Sequence, residues 1–489
     1  MCFLRVQPSS QNSNVEDYKY LLSKIGLLKT REKPRYLGVR AMCKAFRFLE
    51  EHVSTDASEL LALVAKINQL IFVHISVGSQ ADAFTLFETL NNRGVPLSAI
   101  DIIKNKMLAE MDKQHQVDVD ESFEKWQSII EAIPEAVDQE RFLRHFYNAY
   151  RWDKDIKVDG VQRAIKSKII FVYEKLILKN ARNIFDNLCQ KAALYGELIN
   201  PEDSNFEEDI VGQLLDLART NAAPAYLLFL YLFSLDKKHF GEKKFLYNAV
   251  DLSIRYFVRR NVTDFPGTKA LDQLHIDLVE ACQAHIDAGN KLTSAFLQEQ
   301  LMTPTRCATK KQFEEALSGP MYSTNNLMTR YLLVKLDETH HSREYAPDLW
   351  ARNDGDKYVW TVEHVLPQTE NIPKDWVEMI ADGDREAAQQ IHEDNVDRLG
   401  NLTLSGYNSK LATASLSKKQ KLAEKKKILG HSINIGYENG LALNDLTFKV
   451  GREAFKLAEA PVWTAEMIDG RTRKMVDMLM KMYSFDGEK

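Results

Sequence analysis

The sequence predicts a mainly α protein with small α/β parts towards its two ends. Glycine (21) and proline (13) are few in 489 residues, and the stretch from about 120 to 300 has the apolar spacing of amphipathic helices. Two short stretches depart from this pattern. Apolar and polar residues alternate over 71–77, and a run rich in β-forming residues occupies 358–367, so each predicts a strand.

Composition and charge narrow the class of protein. Hydrophobic residues make up 45% and charged residues 27%, which is typical of globular proteins and excludes a disordered or fibrous chain. The net charge of −5 means that any nucleic-acid contact must use local basic patches. The five cysteines form no CxxC pair, so no zinc knuckle or disulfide framework is predicted. Without a membrane-length apolar run or a signal-peptide pattern, we expect a cytoplasmic protein with no membrane partner.

The chain is about three times as long as a typical domain of ~150 residues, so we expect several domains. We predict an α/β N-terminal region over 1–115, a helical domain over 116–320 and a C-terminal domain over 321–489. Apolar spacing in the N-terminal region predicts helices over 40–52 and 57–68 ahead of the strand at 71–77.

The run 81–111 predicts two helices joined by a polar bend. Gly94 ends the first helix because glycine adopts positive φ readily, and Ser98 with Asp101 resembles a capping box that opens the second. The side chains at the bend either line a nucleotide or DNA pocket or cap the two helices. They are Asn91, Asn92 and Arg93.

The C-terminal domain carries the pattern that points to chemistry. A helix is predicted over 322–336, and a polar loop separates it from the first strand, which contains Glu363 and His364. A leucine-rich strand follows Asn401, and Asn408 stands where a further loop and helix begin. This order, with histidine at the end of the first strand and asparagine at the start of the helix, is the arrangement of a ββα-metal (HNH) nuclease site.

Those residue types suit phosphodiester hydrolysis. A histidine accepts a proton from water near neutral pH, and carboxylate and amide oxygens suit a hard cation that neutralises the charge building on phosphorus. Adjacent residues on a strand point to opposite sides, so Glu363 and His364 share one site only if the strand end twists or bulges. Each residue also has a structural alternative, because Asn401 suits a turn and Asn408 suits a helix cap.

Two stretches resemble a known family. TVEHVLPQ at 361–368, Trp376 and LGNLTLSGYN at 399–408 resemble the C-terminal HNH domain of GmrSD-type modification-dependent restriction endonucleases. LFETLNNRGVPLSAIDIIKNKML at 86–108 resembles the later part of the ParB/sulfiredoxin-like N-terminal domain of the same proteins. The resemblance therefore implies a partial ParB-like region, a helical middle and a C-terminal ββα-metal domain.

The resemblance also implies residue roles. His364 would be the general base, Glu363 and Asn408 would bind Mg²⁺ or Mn²⁺, and Asn401 would orient the histidine or its loop. The implied function is that of a metal-dependent endonuclease that cleaves double-stranded DNA, including modified phage DNA, in anti-phage defence. The alternative is a nuclease-inactive regulatory subunit of a restriction system that binds DNA or nucleotide.

One family signature is not found. The N-terminal domain of the family opens with an Asp-Gly-Gln-Gln-Arg run linked to nucleotide binding and hydrolysis, and this sequence contains no such run. We therefore expect this domain to lack its start. Binding of an NTP stays an open alternative, as does completion of the domain by another polypeptide. The partners expected are such a polypeptide or further copies of the chain in a homo-oligomer.

A basic segment follows the HNH pattern. Residues 409–430 contain seven lysines and one glutamate in a chain of net charge −5. We predict contacts to DNA phosphates from Lys418, Lys419 and Lys421, which would give affinity without sequence preference. The alternative is a solvated helix face. No P-loop, GxGxxG or GxSxG motif supports another enzyme class.

Overall fold

The structure is a computed structural model, and the chain in it is mainly helical, as the sequence predicted. Chain contacts divide it into two compact units: the first comprises 1–214, 224–239 and 275–291, and the second comprises 215–223, 240–274 and 292–489. The predicted domain boundaries at 115 and 320 stay predictions. The residues described are 14–34, 41–71, 98–113, 119–339, 347–353, 357–406, 411–422, 425–428 and 431–488.

The helices of the N-terminal half begin close to the predicted positions. The predicted helices at 40–52 and 57–68 are confirmed, and the helix after the polar bend opens as predicted, with Asp101 N donating to Ser98 Oγ at 3.3 Å. The strand at 71–77, apart from its first residue, and the helix before the bend lie outside the described residues, so the ParB-like arrangement stays a prediction. These helices are α1 Asn14–Lys24, α2 Ala41–His52, α3 Ala57–Asn68, α4 Ala99–Lys113, α5 Val119–Ala132, α6 Ala136–Tyr150, α7 Ile169–Ile199, α8 Glu208–Arg219 and α9 Tyr226–Leu232.

The core of the first unit is rich in aromatic residues from α6 and α7. Phe142 and Phe146 lie four residues apart and share one buried face of α6, and the ring of Phe142 lies 5.3 Å from that of Tyr195 on α7. Tyr195 also lies next to the buried His145, with the hydroxyl 3.2 Å from Nδ1. Burial holds the pKa of His145 well below its usual value, because an imidazolium would lose its hydration there.

The helices of the C-terminal half include the one predicted over 322–336. It is present but divided at Asn325, whose side chain accepts a hydrogen bond from Met328 N at 3.0 Å and so caps a new helix. Among the described residues, no helix is both long and apolar enough to span a membrane. These helices are α10 Phe245–Thr263, α11 Thr268–Asp287, α12 Ser294–Leu301, α13 Lys310–Ser318, α14 Met321–Thr324, α15 Asn326–Glu338, α16 Lys374–Ala381, α17 Arg385–Asn395, α18 Leu416–Lys421, α19 Ala442–Asp445 and α20 Ala465–Met482.

The described strands form antiparallel pairs, all in the second unit. The first pair joins the two strands predicted around the HNH pattern, with His364 opposite Leu402 and Glu363 opposite Thr403. Helix α18 follows this pair along the chain. The pairs are β1 Thr361–His364 with β2 Leu402–Ser405, β3 Lys425–Ile428 with β4 His431–Asn434, and β5 Phe448–Val450 with β6 Glu453–Phe455.

A hydrophobic core anchors the segments on either side of β1 and β2. Helix α20 approaches the turn before β2 so closely that a Cβ on Gly400 would lie 2.0 Å from Ile468 O, which only glycine avoids. Gly400 N donates to Thr472 Oγ1 at 3.0 Å. The turn that carries Asn401 is therefore fixed against α20. Members of this core include Val365, Leu366, Ile372, Trp376, Val377, Leu411, Leu416, Tyr437, Phe448, Leu457, Trp463 and Ile468.

Candidate active site

His364 ends β1 and contacts a carboxylate. Its Nε2 lies 3.2 Å from Oδ1 of Asp397, and the exposed fractions of the two side chains are 8% and 17%. The hydrogen bond to His364 lowers the pKa of Asp397 below its usual value, and a hydrogen bond from Ser323 acts in the same direction. An ionised Asp397 accepts a hydrogen bond from Nε2–H, which leaves Nδ1 as the ring nitrogen able to take up a proton.

An aromatic ring from α14 holds the imidazole on a second side. The ring of Tyr322 lies edge-on to His364, with centroids 4.6 Å apart and planes at 86°. Tyr322 N donates to Asp397 O at 3.1 Å, so the same residue is tied to the carboxylate partner. His364 is therefore held between a carboxylate and an aromatic ring, a geometry that restricts its rotation.

Glu363 points to the other side of β1, as alternation along a strand requires. Its Oε1 accepts a hydrogen bond from Lys419 Nζ at 2.7 Å, and the same ammonium donates to the carbonyl of His364 at 2.6 Å. The exposed fractions of these two side chains are 4% for Glu363 and 0% for Lys419. Burial raises the pKa of Glu363 and lowers that of Lys419, because both groups have lost water, and their mutual attraction opposes both shifts.

Asn401 is fully buried and bonds to the chain just beyond the histidine. Its Oδ1 accepts from Leu366 N at 2.8 Å and from Trp463 Nε1 at 3.1 Å. Its Nδ2 donates to Leu366 O at 3.1 Å and to Val396 O at 2.9 Å. All four hydrogen-bonding positions of the amide are used. The side chain thus joins the segment after β1 to the segments before β2 and α20.

Two models of one family match this chain. The model of the C-terminal domain of GmrSD restriction endonucleases matches residues 308–478, and that of the N-terminal domain matches residues 5–108. Both match in the predicted order, and together they span more than half of the chain. The chain belongs to the GmrSD restriction endonucleases. A search of curated proteins found no match.

Membership of the GmrSD restriction endonucleases confirms the resemblance and makes the protein a restriction nuclease. The C-terminal match contains His364, Asp397, Asn401 and Lys419, so the described site lies within the C-terminal domain of the family. The N-terminal match includes the polar bend at 91–93, but those three residues are outside the described part of the chain.

The structure brings some of the predicted residues together. Glu363, His364 and Asn401 lie at the β1–β2 pair, and Lys419 joins them from α18. The side chains of Lys418 and Lys421 are exposed on the same helix, whereas that of Lys419 is enclosed, which is not the environment of a phosphate contact. Asn408, like Asn91, Asn92 and Arg93, lies outside the described residues.

Sequence patterns did not identify two of the contacts in this GmrSD site. Asp397 lies 33 residues after His364 and Tyr322 lies 42 residues before it. Neither spacing belongs to a local motif. Chemistry alone predicts that His364 has a carboxylate partner, because a histidine that acts as a base is commonly oriented by a carboxylate. That rule does not select Asp397 from the 69 acidic residues of the chain.

Glu363, as the structure places it, fits a divalent cation poorly. Within the described part of the chain, no cluster of three or more histidine, cysteine or acidic side chains could hold a metal ion. Glu363, the predicted carboxylate ligand, is neutralised by Lys419 and has little exposed surface. The carboxylate that contacts His364 belongs to Asp397 instead. Metal binding through Glu363 and Asn408 therefore stays a prediction.

Proposed function

We propose that the protein is an HNH-type endonuclease that hydrolyses phosphodiester bonds of double-stranded DNA with His364 as its general base. The observation that carries this proposal is the contact between His364 Nε2 and the Asp397 carboxylate, within the domain that matches the nuclease family. The order β1, β2, α18, with histidine ending the first strand, supports the HNH type.

The geometry supports a simple sequence of proton transfers. Asp397 accepts a hydrogen bond from Nε2–H, so this nitrogen keeps its proton. Nδ1 takes a proton from a water molecule, and the resulting hydroxide attacks the phosphorus. The bond from phosphorus to the 3′-oxygen breaks, and solvent supplies the proton to that oxygen. The negative charge of Asp397 stabilises the imidazolium that forms, and Tyr322 keeps the ring in place.

Dependence on Mg²⁺ or Mn²⁺ is part of this proposal. A hard cation would neutralise charge on the phosphorus and the departing oxygen. The prediction is checked by plasmid nicking in Mg²⁺, in Mn²⁺ and in EDTA, with cleavage expected only in the first two. Cleavage that persists at the same rate in EDTA would contradict metal dependence and leave the role of His364 to be tested separately.

The exposed lysines of α18 support contact with the DNA backbone. Lys418 and Lys421 have no acidic partner among the described residues and lie on the helix that follows the candidate site. Phosphate contacts of this kind bind any duplex, so they would add affinity for DNA without selecting a base sequence. We propose defence against phages with modified DNA. Faster cleavage of such phage DNA than of an unmodified plasmid is expected, and equal rates would contradict it.

The role of His364 is tested by comparing nicking by the wild type with nicking by the His364→Ala and His52→Ala variants. His52 is an exposed histidine on α2 and serves as the matched control. Loss of a general base lowers kcat by about 10²–10⁴-fold, so His364→Ala should be nearly inactive and His52→Ala unchanged. Undiminished cleavage by His364→Ala would refute the assignment. DNA binding by the wild type without cleavage in any divalent metal would favour the regulatory subunit.

A further inference from the structure

We propose that Lys419 is a positioning residue that fixes the end of β1, and that Glu363 serves this contact and is not a ligand of a divalent cation. The inference rests on the proposed function. It replaces two roles expected from the sequence, a phosphate contact for Lys419 and a metal contact for Glu363, by one contact between the two residues.

The geometry of the ammonium group is the first argument. Nζ donates to the side chain of Glu363 at 2.7 Å and to the backbone carbonyl of His364 at 2.6 Å. One cation thus binds two consecutive residues of the strand, one through the side chain and one through the backbone. Because neighbouring side chains alternate, the ammonium lies behind the strand while the imidazole projects to the other side, towards Asp397.

Burial is the second argument. Lys419 is fully buried and Glu363 nearly so, and a lysine or glutamate is almost never enclosed unless it is paired. A divalent cation at Glu363 would either lie beside the ammonium bound to Oε1 or displace it. Repulsion between the two cations opposes the first arrangement, and a buried charge left without a partner opposes the second. The ammonium therefore already serves as the cationic partner of this carboxylate.

The third argument is that the backbone of Lys419 is itself fixed. Tyr437 N donates to Lys419 O at 3.0 Å. The chain at Gly436 passes so close that a Cβ there would lie 2.8 Å from the same carbonyl. The next residue, Gln420, donates to Leu457 O and Ala460 O at 3.0 and 2.8 Å. A lysine anchored in this way holds the strand end in one position.

The experiment compares Lys419→Met with Lys418→Met and Lys474→Met. Lys418 is the exposed neighbour proposed to contact phosphate, and Lys474 is an exposed lysine on α20. Steady-state cleavage should show kcat lowered about 10²-fold in Lys419→Met with KM for DNA unchanged, because a small displacement of a base has an effect of that size. Lys418→Met should raise KM, and Lys474→Met should match the wild type. A raised KM with normal kcat in Lys419→Met would overturn the inference in favour of a phosphate contact.

Two further measurements separate positioning from support of the fold. The double variant Glu363→Gln/Lys419→Met lacks both charges of the buried pair, so its midpoint of unfolding should recover relative to Lys419→Met while its kcat stays low. Recovery of kcat together with the midpoint would show that Lys419 only supports the fold. If Lys419→Met does not fold, the single variant Glu363→Gln is measured in its place. Glu363→Gln keeps the hydrogen bond from Lys419 Nζ to His364 O, so its kcat should fall less than tenfold.

Binding of Mn²⁺ tests the second half of the inference without relying on cleavage. It is measured by calorimetry on the inactive His364→Ala protein, with and without Glu363→Gln. Equal affinities are expected. A tenfold weaker affinity in the double variant would show that Glu363 is a metal ligand. Cleavage of DNA by the single variant His364→Ala would instead refute the proposed function. Failure of the inference about Glu363 and failure of the proposed function are therefore distinguishable.

Discussion

Substitution of Asn401 by alanine should destabilise the second unit strongly. The change removes Oδ1, which accepts from both Leu366 N–H and Trp463 Nε1–H, and Nδ2, which donates to both Leu366 O and Val396 O. Each buried donor left without a partner costs about 1–3 kcal/mol, so two donors predict a loss of about 2–6 kcal/mol of unfolding free energy. Guanidinium unfolding followed by tryptophan fluorescence measures it, since Trp360, Trp376 and Trp463 are buried in this unit.

The control for this variant is Asn326→Ala, at an exposed position that begins α15 in the same unit. It should change the unfolding free energy by no more than about 0.5 kcal/mol, as is usual for surface substitutions. An Asn401→Ala protein within 1 kcal/mol of the wild type would refute the reasoning, because it would mean that the four hydrogen bonds do not hold the segments around β1 and β2 together.

Three further predictions concern charge, salt and pH. Asp397→Asn removes the negative charge that stabilises the imidazolium formed during catalysis, so kcat at neutral pH should fall, and an unchanged kcat would contradict the contact. Replacing both Lys418 and Lys421 by alanine should reduce the slope of log affinity for DNA against log salt by about 2, measured by fluorescence anisotropy, and an unchanged slope would exclude both from the interface. The pKa of His145 is depressed in the folded protein, so below about pH 6.5 the unfolded chain binds one proton more than the folded chain. The free energy of unfolding should therefore decrease as the pH is lowered, by up to about 1.4 kcal/mol per pH unit. The variant His145→Gln should lose this part of the pH dependence, and a variant that keeps it would contradict the prediction.

Local periodicity was enough to predict most of the helical structure and the two strands of the site. The helix at 57–68 and the strands β1 and β2 were predicted from apolar spacing and β-forming residues, whereas the register of the two strands comes from the structure. The division of the predicted helix at Asn325 was not foreseen, because asparagine tolerates both a helix interior and a cap. Asn325 is a cap in this structure because its side chain accepts a hydrogen bond from Met328 N.

The partners of the site residues were beyond sequence reasoning, since they depend on contacts between distant segments. Lys418, Lys419 and Lys421 belong to one basic run, and nothing in their spacing shows that only Lys419 faces the core. Burial of a charged residue follows from the nearness of another charge, here Glu363, which only the folded chain provides. Asp397 likewise could be identified as the partner of His364 only from the folded chain, which brings the two side chains together.

The adjacency of Glu363 and His364 explains why one motif supports two roles. A strand sends consecutive side chains to opposite sides, so the pair cannot converge on one ion without a local distortion, and the register of β1 with β2 is regular through both residues. The imidazole therefore takes its carboxylate from Asp397, on its own side, and Glu363 takes its cation from Lys419, on the other. Under our proposal, Asp397→Asn should therefore lower the rate of DNA cleavage more than Glu363→Gln does, because only Asp397 contacts the imidazole.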